Sequence, residues 1–126
     1  MVMTPVKDLV AQAKTEITTL SIDDAQAFAE SGDALLVDIR DIRELDREGR
    51  IPGAFHAPRG MLEFWIDPAS PYHKPELAGD KRLVLFCASA WRSALSVKAL
   101  QDMGAQNIAE MDGGFKVWAA AGKPTA

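Results

Sequence analysis

The chain has very few residues that bind metals or form disulfides: one cysteine, Cys87, and two histidines among 126 residues. A single cysteine excludes a disulfide within the chain and a metal site made of several thiolates from one chain. Two histidines cannot form a three-histidine centre, so no metal site is predicted. Because a lone free thiol suits a reducing compartment, we expect a cytoplasmic protein.

Long apolar runs and an excess of positive charge are also missing. No stretch approaches the roughly 18 apolar residues of a membrane-spanning helix, and Lys7 and Asp8 interrupt the amino-terminal segment early. The 14 Lys and Arg residues stand against 18 Asp and Glu residues, for a net charge of −4. Because nucleic-acid-binding proteins are usually basic, we expect neither a membrane nor a nucleic acid as a partner.

The remaining composition is that of an ordinary globular protein, with 48% hydrophobic and 25% charged residues. Apolar residues recur at helical spacing over residues 5–14 and predict a short helix. We interpret residues 1–15 as an N-terminal helical extension and residues 16–126 as one domain, a size that the length allows.

Short apolar runs alternate with helical patterns through that domain. Strands are predicted at 17–20, 35–37, around Phe55, at 83–86 and at 108–111. Helices are predicted after Ser21, a typical N-cap residue, and then over 44–48, 61–66, 93–103 and 115–121. Strands that alternate with helices predict an α/β fold, with about five mainly parallel strands and helices on both faces of the sheet.

Cys87 directly follows the strongest predicted strand and precedes a predicted helix. Ligands of open α/β sheets bind beyond the carboxyl ends of the strands, and a helix amino terminus favours a thiolate there. The loop N–H groups can also bind an anion, and Arg92 adds a full positive charge. The pattern predicts a nucleophilic cysteine beside an anion site; the alternative is a buried cysteine that acts only as a small hydrophobe.

Three motifs, in this order, resemble the rhodanese family of sulfurtransferases. The first is Asp38-Ile39-Arg40 with Glu44 and the run GRIPGA at 49–54. The second is the loop CASAWRS at 87–93, which is similar to the active-site loop of the family. The third is DGGF at 112–115, with Trp118 and GKP at 122–124. The resemblance spans residues 16–124 and implies a rhodanese-like fold.

The family transfers a sulfane sulfur from an anionic donor, typically thiosulfate, to a thiophilic acceptor such as cyanide or a thiol. The resemblance implies that Cys87 is the catalytic nucleophile and carries the sulfur as a transient persulfide, with no resident cofactor. The other loop residues are predicted to bind the substrate: Arg92, Ala88, Ser89, Ala90, Trp91 and Ser93. The alternatives are a surface arginine at the helix start, a solvent-facing Ser89 and a structural role for Ser93 in the first turn of the helix. Because the chain has no second thiol, the sulfur must leave to an external acceptor, a small molecule or a protein.

Two alternatives remain open. One is a sulfur-carrier or binding module that presents a persulfide to a partner protein. The other is a cysteine-based phosphatase or arsenate reductase, relatives whose loops have five residues between Cys and Arg. Here four residues intervene, Ala88 to Trp91, and the tighter ring suits a single sulfur atom better. Ala90 stands where many loops of the family have glycine, so the loop either avoids a positive φ there or is strained.

Four further sets of residues are predicted near the loop. Asp38, Arg40 and Glu44 are expected to be structural, with Arg40 in a buried salt bridge to Glu44 or Asp38. Arg59 is a candidate cleft residue, and a surface arginine is the alternative. Trp65 is a candidate for the cleft mouth or a subunit contact, and a core position is the alternative. The segment 61–78 is apolar on several sides and then rich in proline. Part of it is expected to cover the cleft or to form a partner surface, and full burial is the alternative.

Overall fold

Five parallel strands form one sheet in the computed structural model, which describes residues 2–126. They are β1 (Thr19–Leu20), β2 (Ala34–Asp38), β3 (Phe55–His56), β4 (Arg82–Phe86) and β5 (Ile108–Met111). Their order across the sheet is β1-β5-β4-β2-β3, so β4 is the central strand. The α/β fold with about five parallel strands is therefore confirmed.

Helices cover both faces of the sheet, as predicted. Within residues 2–126 they are α1 (Val6–Glu16), α2 (Ile22–Glu30), α3 (Ile42–Glu48), α4 (Leu62–Ile66), α5 (Arg92–Asp102) and α6 (Gly114–Ala120), with single 3₁₀ turns at Arg59–Met61 and Pro75–Leu77. Apolar residues of α4 and α5 pack on one face, and those of α2 and α6 pack on the other. No helix of this part of the chain is both long and apolar enough to cross a membrane.

The alternation of side chains along β4 decides on which face the cysteine lies. Successive residues of a strand point to opposite faces, so Leu83 and Leu85 contact the α5 side while Val84 and Phe86 contact the α6 side. Cys87 continues the first series and belongs to the apolar cluster on the α5 side. The thiol therefore lies at the end of the central strand, against the helix that follows it.

The amino-terminal helix α1 packs on α5 rather than on the sheet. Val10 and Ala13 are its buried residues, and they contact Ala94 in the first turn of α5. The helix extends to Glu16, two residues beyond the predicted end, and the strand predicted from residue 17 begins at Thr19. Ser21 caps α2 as predicted, since its hydroxyl accepts the N–H of Asp24 at 3.0 Å.

The apolar segment that begins at residue 61 is divided between core and surface. Leu62 is buried, whereas Trp65 and Ile66 are half-buried against the same apolar cluster that contains Cys87. Phe64 faces outward and meets Tyr72 edge-on at 6.4 Å. The excess of apolar faces therefore reflects a short helix that packs on the core with one side and carries an exposed aromatic pair on the other.

Candidate active site

The residues after β2, β3 and β4 meet at one edge of the sheet. Asp38 pairs in register with Phe86 on one side and with His56 on the other. The N–H of Ile39 then donates to the carbonyl of Phe86 at 3.0 Å, and the N–H of Ala57 donates to the carbonyl of Asp38 at 2.9 Å. This register brings the end of β2 beside Cys87, at the carboxyl edge where ligands bind in this class of sheet.

The loop that carries Cys87 is fixed from behind by the amino end of α6. The N–H of Phe115 donates to the carbonyl of Cys87 at 2.8 Å, and the N–H of Lys116 donates to that of Ala88 at 3.1 Å. Gly114 makes this approach possible: it has φ +67°, and a Cβ there would lie 2.5 Å from the Cys87 carbonyl oxygen. The sequence pattern predicted a helix from residue 115, directly after Gly113-Gly114, but not this close contact with the loop.

Cys87 is 1% exposed, and opposing influences act on its thiol. Burial is the largest of them and raises the pKa of Cys87. The N–H groups of Ser93 and Ser89 and the charge of Arg92 act in the opposite direction, and the pKa of Cys87 lies below its ordinary value of 9.0. The direction agrees with a thiolate nucleophile at the amino end of a helix.

Arg92 is the first residue of α5, and its guanidinium is already paired. It donates to both carboxylate oxygens of Glu44, at 2.6 and 3.0 Å. This bond is the main reason why the pKa of Glu44 lies below its ordinary value, and the largest reason why that of Arg92 is raised. Glu44 also accepts the N–H of Asp41 in the capping box of α3, so α3 and α5 are joined beside the cysteine.

Asp38 and Arg40 form a buried ion pair, each 1% exposed. Arg40 donates Nε to one oxygen of Asp38 at 3.0 Å and Nη2 to the other at 2.7 Å. It also donates to the carbonyl of Gly49 at 2.9 Å and stacks on Phe115 at 4.1 Å. Of the two salt bridges proposed for Arg40, the one with Glu44 was wrong, because Glu44 binds Arg92.

The loop residues between Cys87 and Arg92 point in different directions. Ala90 is buried and adopts φ +67°. Of the two outcomes expected for this residue, a loop without a positive φ or a strained loop, the structure has the strained loop. An alanine in this left-handed region costs about 1–2 kcal/mol. Trp91 is 46% exposed and Ser89 is exposed, whereas Ala88 is half-buried. The bulky indole is thus turned largely toward solvent.

The two candidate cleft residues make other contacts. Arg59 pairs with Glu63 at 2.8 Å and lines a groove beside α1 and α5. Trp65 meets Phe55 edge-on at 6.4 Å, and the ammonium of Lys74 lies 5.1 Å from its ring. These contacts favour the alternatives, a partly exposed arginine and a tryptophan that packs on the core.

Glu110 was not among the residues predicted for the site. It lies in β5 and is 0% exposed, and one of its oxygens accepts from Lys14 of α1 at 2.8 Å and from Thr19 at 3.0 Å. Its other oxygen accepts the hydroxyl of Ser93 at 2.7 Å. A carboxylate inside a short apolar strand is rare unless it is paired. The acidic residue within the apolar run of β5 was therefore the feature of the sequence that could have indicated a buried, paired carboxylate.

Comparisons with known proteins agree with this geometry. The family model of the rhodanese-like domain matches residues 21–121. The thiosulfate sulfurtransferase GlpE of Pseudomonas savastanoi pv. phaseolicola is 30% identical over 84% of this chain and 91% of its own.

Solved structures that are similar over nearly the whole chain include the following two. A protein of unknown function from Rhodopseudomonas palustris, described as a possible tyrosine phosphatase, is 48% identical and covers 100% of this chain and 97% of its own, with a TM-score of 0.93. The polysulfide-sulfur transferase homodimer of Wolinella succinogenes is 32% identical over 95% of this chain and 85% of its own, with a TM-score of 0.75.

Proposed function

We propose that this chain, which belongs to the rhodanese-like domain family and at the level of that family is a sulfurtransferase, moves a sulfane sulfur from an anionic donor such as thiosulfate. The sulfur would pass through a persulfide on Cys87. The observation that carries the proposal is the placement of Cys87 between the end of β4 and the start of α5. There, N–H groups of Ser89 and Ser93 meet the sulfur and keep the pKa of the thiol low.

The reaction is a pair of displacements at sulfur. The Cys87 thiolate attacks the sulfane sulfur of thiosulfate, the S–S bond of the donor breaks, and sulfite leaves with the bonding electron pair. An acceptor such as cyanide or a thiolate then attacks the outer sulfur of the persulfide, and Cys87 leaves as the thiolate. Because the chain holds one cysteine, the acceptor is an external molecule, small or protein. The cycle needs no resident cofactor and suits a reducing compartment.

Mass spectrometry of the intact protein tests the proposal directly. After mixing with thiosulfate, we expect the mass to increase by one sulfur atom, and cyanide should then remove it with release of thiocyanate. Cys87→Ser should show no increase. If the wild-type mass also stays unchanged with thiosulfate and with polysulfide, the proposed donor class is wrong.

A sulfur-carrier role predicts a different result in the same experiment. A carrier would accept one sulfur from a partner persulfide and would turn over thiosulfate and cyanide very slowly. Formation of many thiocyanate molecules per Cys87 would therefore indicate an enzyme rather than a carrier.

The relative described as a possible tyrosine phosphatase makes phosphatase activity a second candidate. The loop of this chain has four residues between Cys87 and Arg92, and none of them is Asp or Glu. Such a loop offers no acid to protonate a leaving alcohol. We expect no hydrolysis of p-nitrophenyl phosphate under conditions in which thiosulfate loads Cys87, and hydrolysis that Cys87→Ser abolishes would favour the phosphatase.

A further inference from the structure

A line of side chains runs from the thiol to the amino-terminal helix. The sulfur of Cys87 lies 3.7 Å from the hydroxyl of Ser93, and that hydroxyl lies 2.7 Å from Glu110. Lys14 of α1 binds the far oxygen of Glu110 at 2.8 Å. Ser93 and Glu110 are both 0% exposed and Cys87 is 1% exposed. A change at Glu110 can therefore reach the sulfur through a single side chain.

The hydroxyl of Ser93 has one proton and two candidate acceptors, the Glu110 carboxylate and the Cys87 sulfur. The O–O distance of 2.7 Å is typical of a strong bond to a charged acceptor, whereas the S–O distance is 1 Å longer. The proton therefore lies toward Glu110. In that orientation the hydroxyl can accept the S–H of a thiol, but it gives a thiolate no hydrogen bond.

We propose that Glu110 is a positioning residue that limits how readily Cys87 ionises, because it competes with the thiolate for the proton of Ser93. Lys14 supplies the counter-charge that a buried carboxylate requires, so α1 takes part in the site although it lies outside the sheet. This inference rests on Cys87 as the nucleophile proposed above but not on the identity of the sulfur donor. Its chemical use is clear, since a thiolate loses nucleophilicity as its pKa falls far below the ambient pH.

Several charged and polar groups face this pair, and the test must separate them. Arg92 acts on Cys87 from the start of α5, and Glu44 neutralises Arg92 from α3. Glu110 is faced by Lys14 from α1, Thr19 from β1 and Ser93 from α5. Removing Glu110 alone would leave the charge of Lys14 unbalanced, so a charge-balanced double variant is needed.

The experiment measures the pH midpoint of Cys87 alkylation by iodoacetamide, with no sulfur donor present. Four proteins are compared: the wild type, Ser93→Ala, the double variant Lys14→Met/Glu110→Gln, and the triple variant that combines them. We expect the double variant to lower the midpoint by about one pH unit, the size of one hydrogen bond to a charged acceptor. Ser93→Ala should change the midpoint little in the wild type but raise it by about one unit in the double variant, where the proton has turned toward sulfur.

Two outcomes would overturn the inference. One is an equal rise of the midpoint with Ser93→Ala in both backgrounds, and the other is an unchanged midpoint in the double variant. If the double variant does not fold, Ser93→Ala alone still decides, because it leaves the Lys14–Glu110 pair in place: a rise of one unit in the wild type refutes the competition.

A matched control is available on the same pair of helices. Lys98 has a side-chain exposure of 33% against 34% for Lys14, and its partner on α1 is Glu16, at 3.8 Å. Lys98→Met/Glu16→Gln should leave the midpoint unchanged, and a shift as large as that of the Lys14–Glu110 variant would also count against the inference. Since alkylation uses no donor, a failed thiosulfate assay leaves these midpoints valid, and the reverse also holds.

Discussion

The charge of Arg92 is shared between the fold and the proposed substrate. The guanidinium binds Glu44 through two short contacts, and its side chain is 42% exposed while that of Glu44 is 19% exposed. An incoming anion therefore meets a paired cation rather than a free one. Arg92 can still donate to the anion through N–H groups that Glu44 does not use, and Glu44 limits how much of its charge the anion feels.

Replacement of either partner should change the reaction with an anion more than the reaction with a neutral reagent. Arg92→Ala should slow loading of Cys87 by thiosulfate about 10- to 150-fold relative to alkylation by iodoacetamide, the size of about 1.5–3 kcal/mol for a charge-assisted contact. Glu44→Gln should instead speed the loading of Cys87 by thiosulfate relative to alkylation, because it leaves the charge of Arg92 unpaired. Rapid mixing, quenching and mass spectrometry of the intact protein give the rates of loading by thiosulfate and of alkylation by iodoacetamide for each protein.

Arg59→Ala is the control for this comparison, because Arg59 is also partly exposed and paired, with Glu63 at 2.8 Å. It should affect both reagents equally. Equal losses with both reagents in Arg92→Ala would instead mean that Arg92 only shapes the loop.

At the scale of elements, α6 is the support of the cysteine loop. It is short, from Gly114 to Ala120, and its first N–H groups bind the carbonyls of Cys87 and Ala88. A backbone contact this close requires a residue without a side chain at position 114. The orientation of Cys87 thus depends on a glycine that is 27 positions further along the chain.

Gly114→Ala should damage both stability and the site. A Cβ at 2.5 Å from the Cys87 carbonyl oxygen would displace the loop, and we expect a loss of about 3 kcal/mol or more. Gly122→Ala is the matched control at the other end of α6, because Gly122 has φ +75° but no atom within 4 Å of its added Cβ. It should cost about 1–2 kcal/mol, the backbone strain alone.

Urea unfolding and the rate of Cys87 alkylation measure the two effects. Only Gly114→Ala should change the alkylation rate of the folded protein. Similar losses of stability in both variants, with unchanged alkylation, would show that α6 does not position the loop.

Patterns within short segments predicted much of this molecule. Apolar runs located β2, β4 and β5, the serine cap located α2, and the strand–loop–helix pattern placed Cys87 at the correct edge. Contacts between distant segments were beyond such patterns: Glu44 and Arg92 are 48 positions apart, and Lys14 and Glu110 are 96 apart. Spacing along the chain carries no information on which of several charges meet, and so Arg40 was assigned two candidate partners and Glu110 none.

At the scale of the whole molecule, two acidic groups make the stability of the fold depend on pH. The Arg43 side chain is the main cause that lowers the pKa of Asp41 from 3.8 to about 2, and the Arg92 side chain is the main cause that lowers the pKa of Glu44 from its ordinary value of 4.5. A carboxyl group whose pKa is lower in the folded state stabilises the fold above its unfolded pKa, and this stabilisation is lost as the pH falls through the folded value. Both groups therefore act in the same direction.

The contribution of these two groups to the free energy of unfolding should consequently be nearly constant from about pH 7 to pH 5 and should fall as the pH drops below about 4.5. Glu44→Gln should flatten part of that fall, by about 0.5–1 kcal/mol, because the pair with Arg92 is partly exposed and screened by solvent. Urea unfolding at a series of pH values provides the measurement. Glu30→Gln, which removes an exposed carboxylate that accepts from the neutral Gln26 amide, serves as the control for the loss of one surface carboxylate. If Glu44→Gln and Glu30→Gln follow the same curve as the wild type, the Glu44–Arg92 pair orders the loop without stabilising the fold, and its importance lies in the reaction at Cys87 alone.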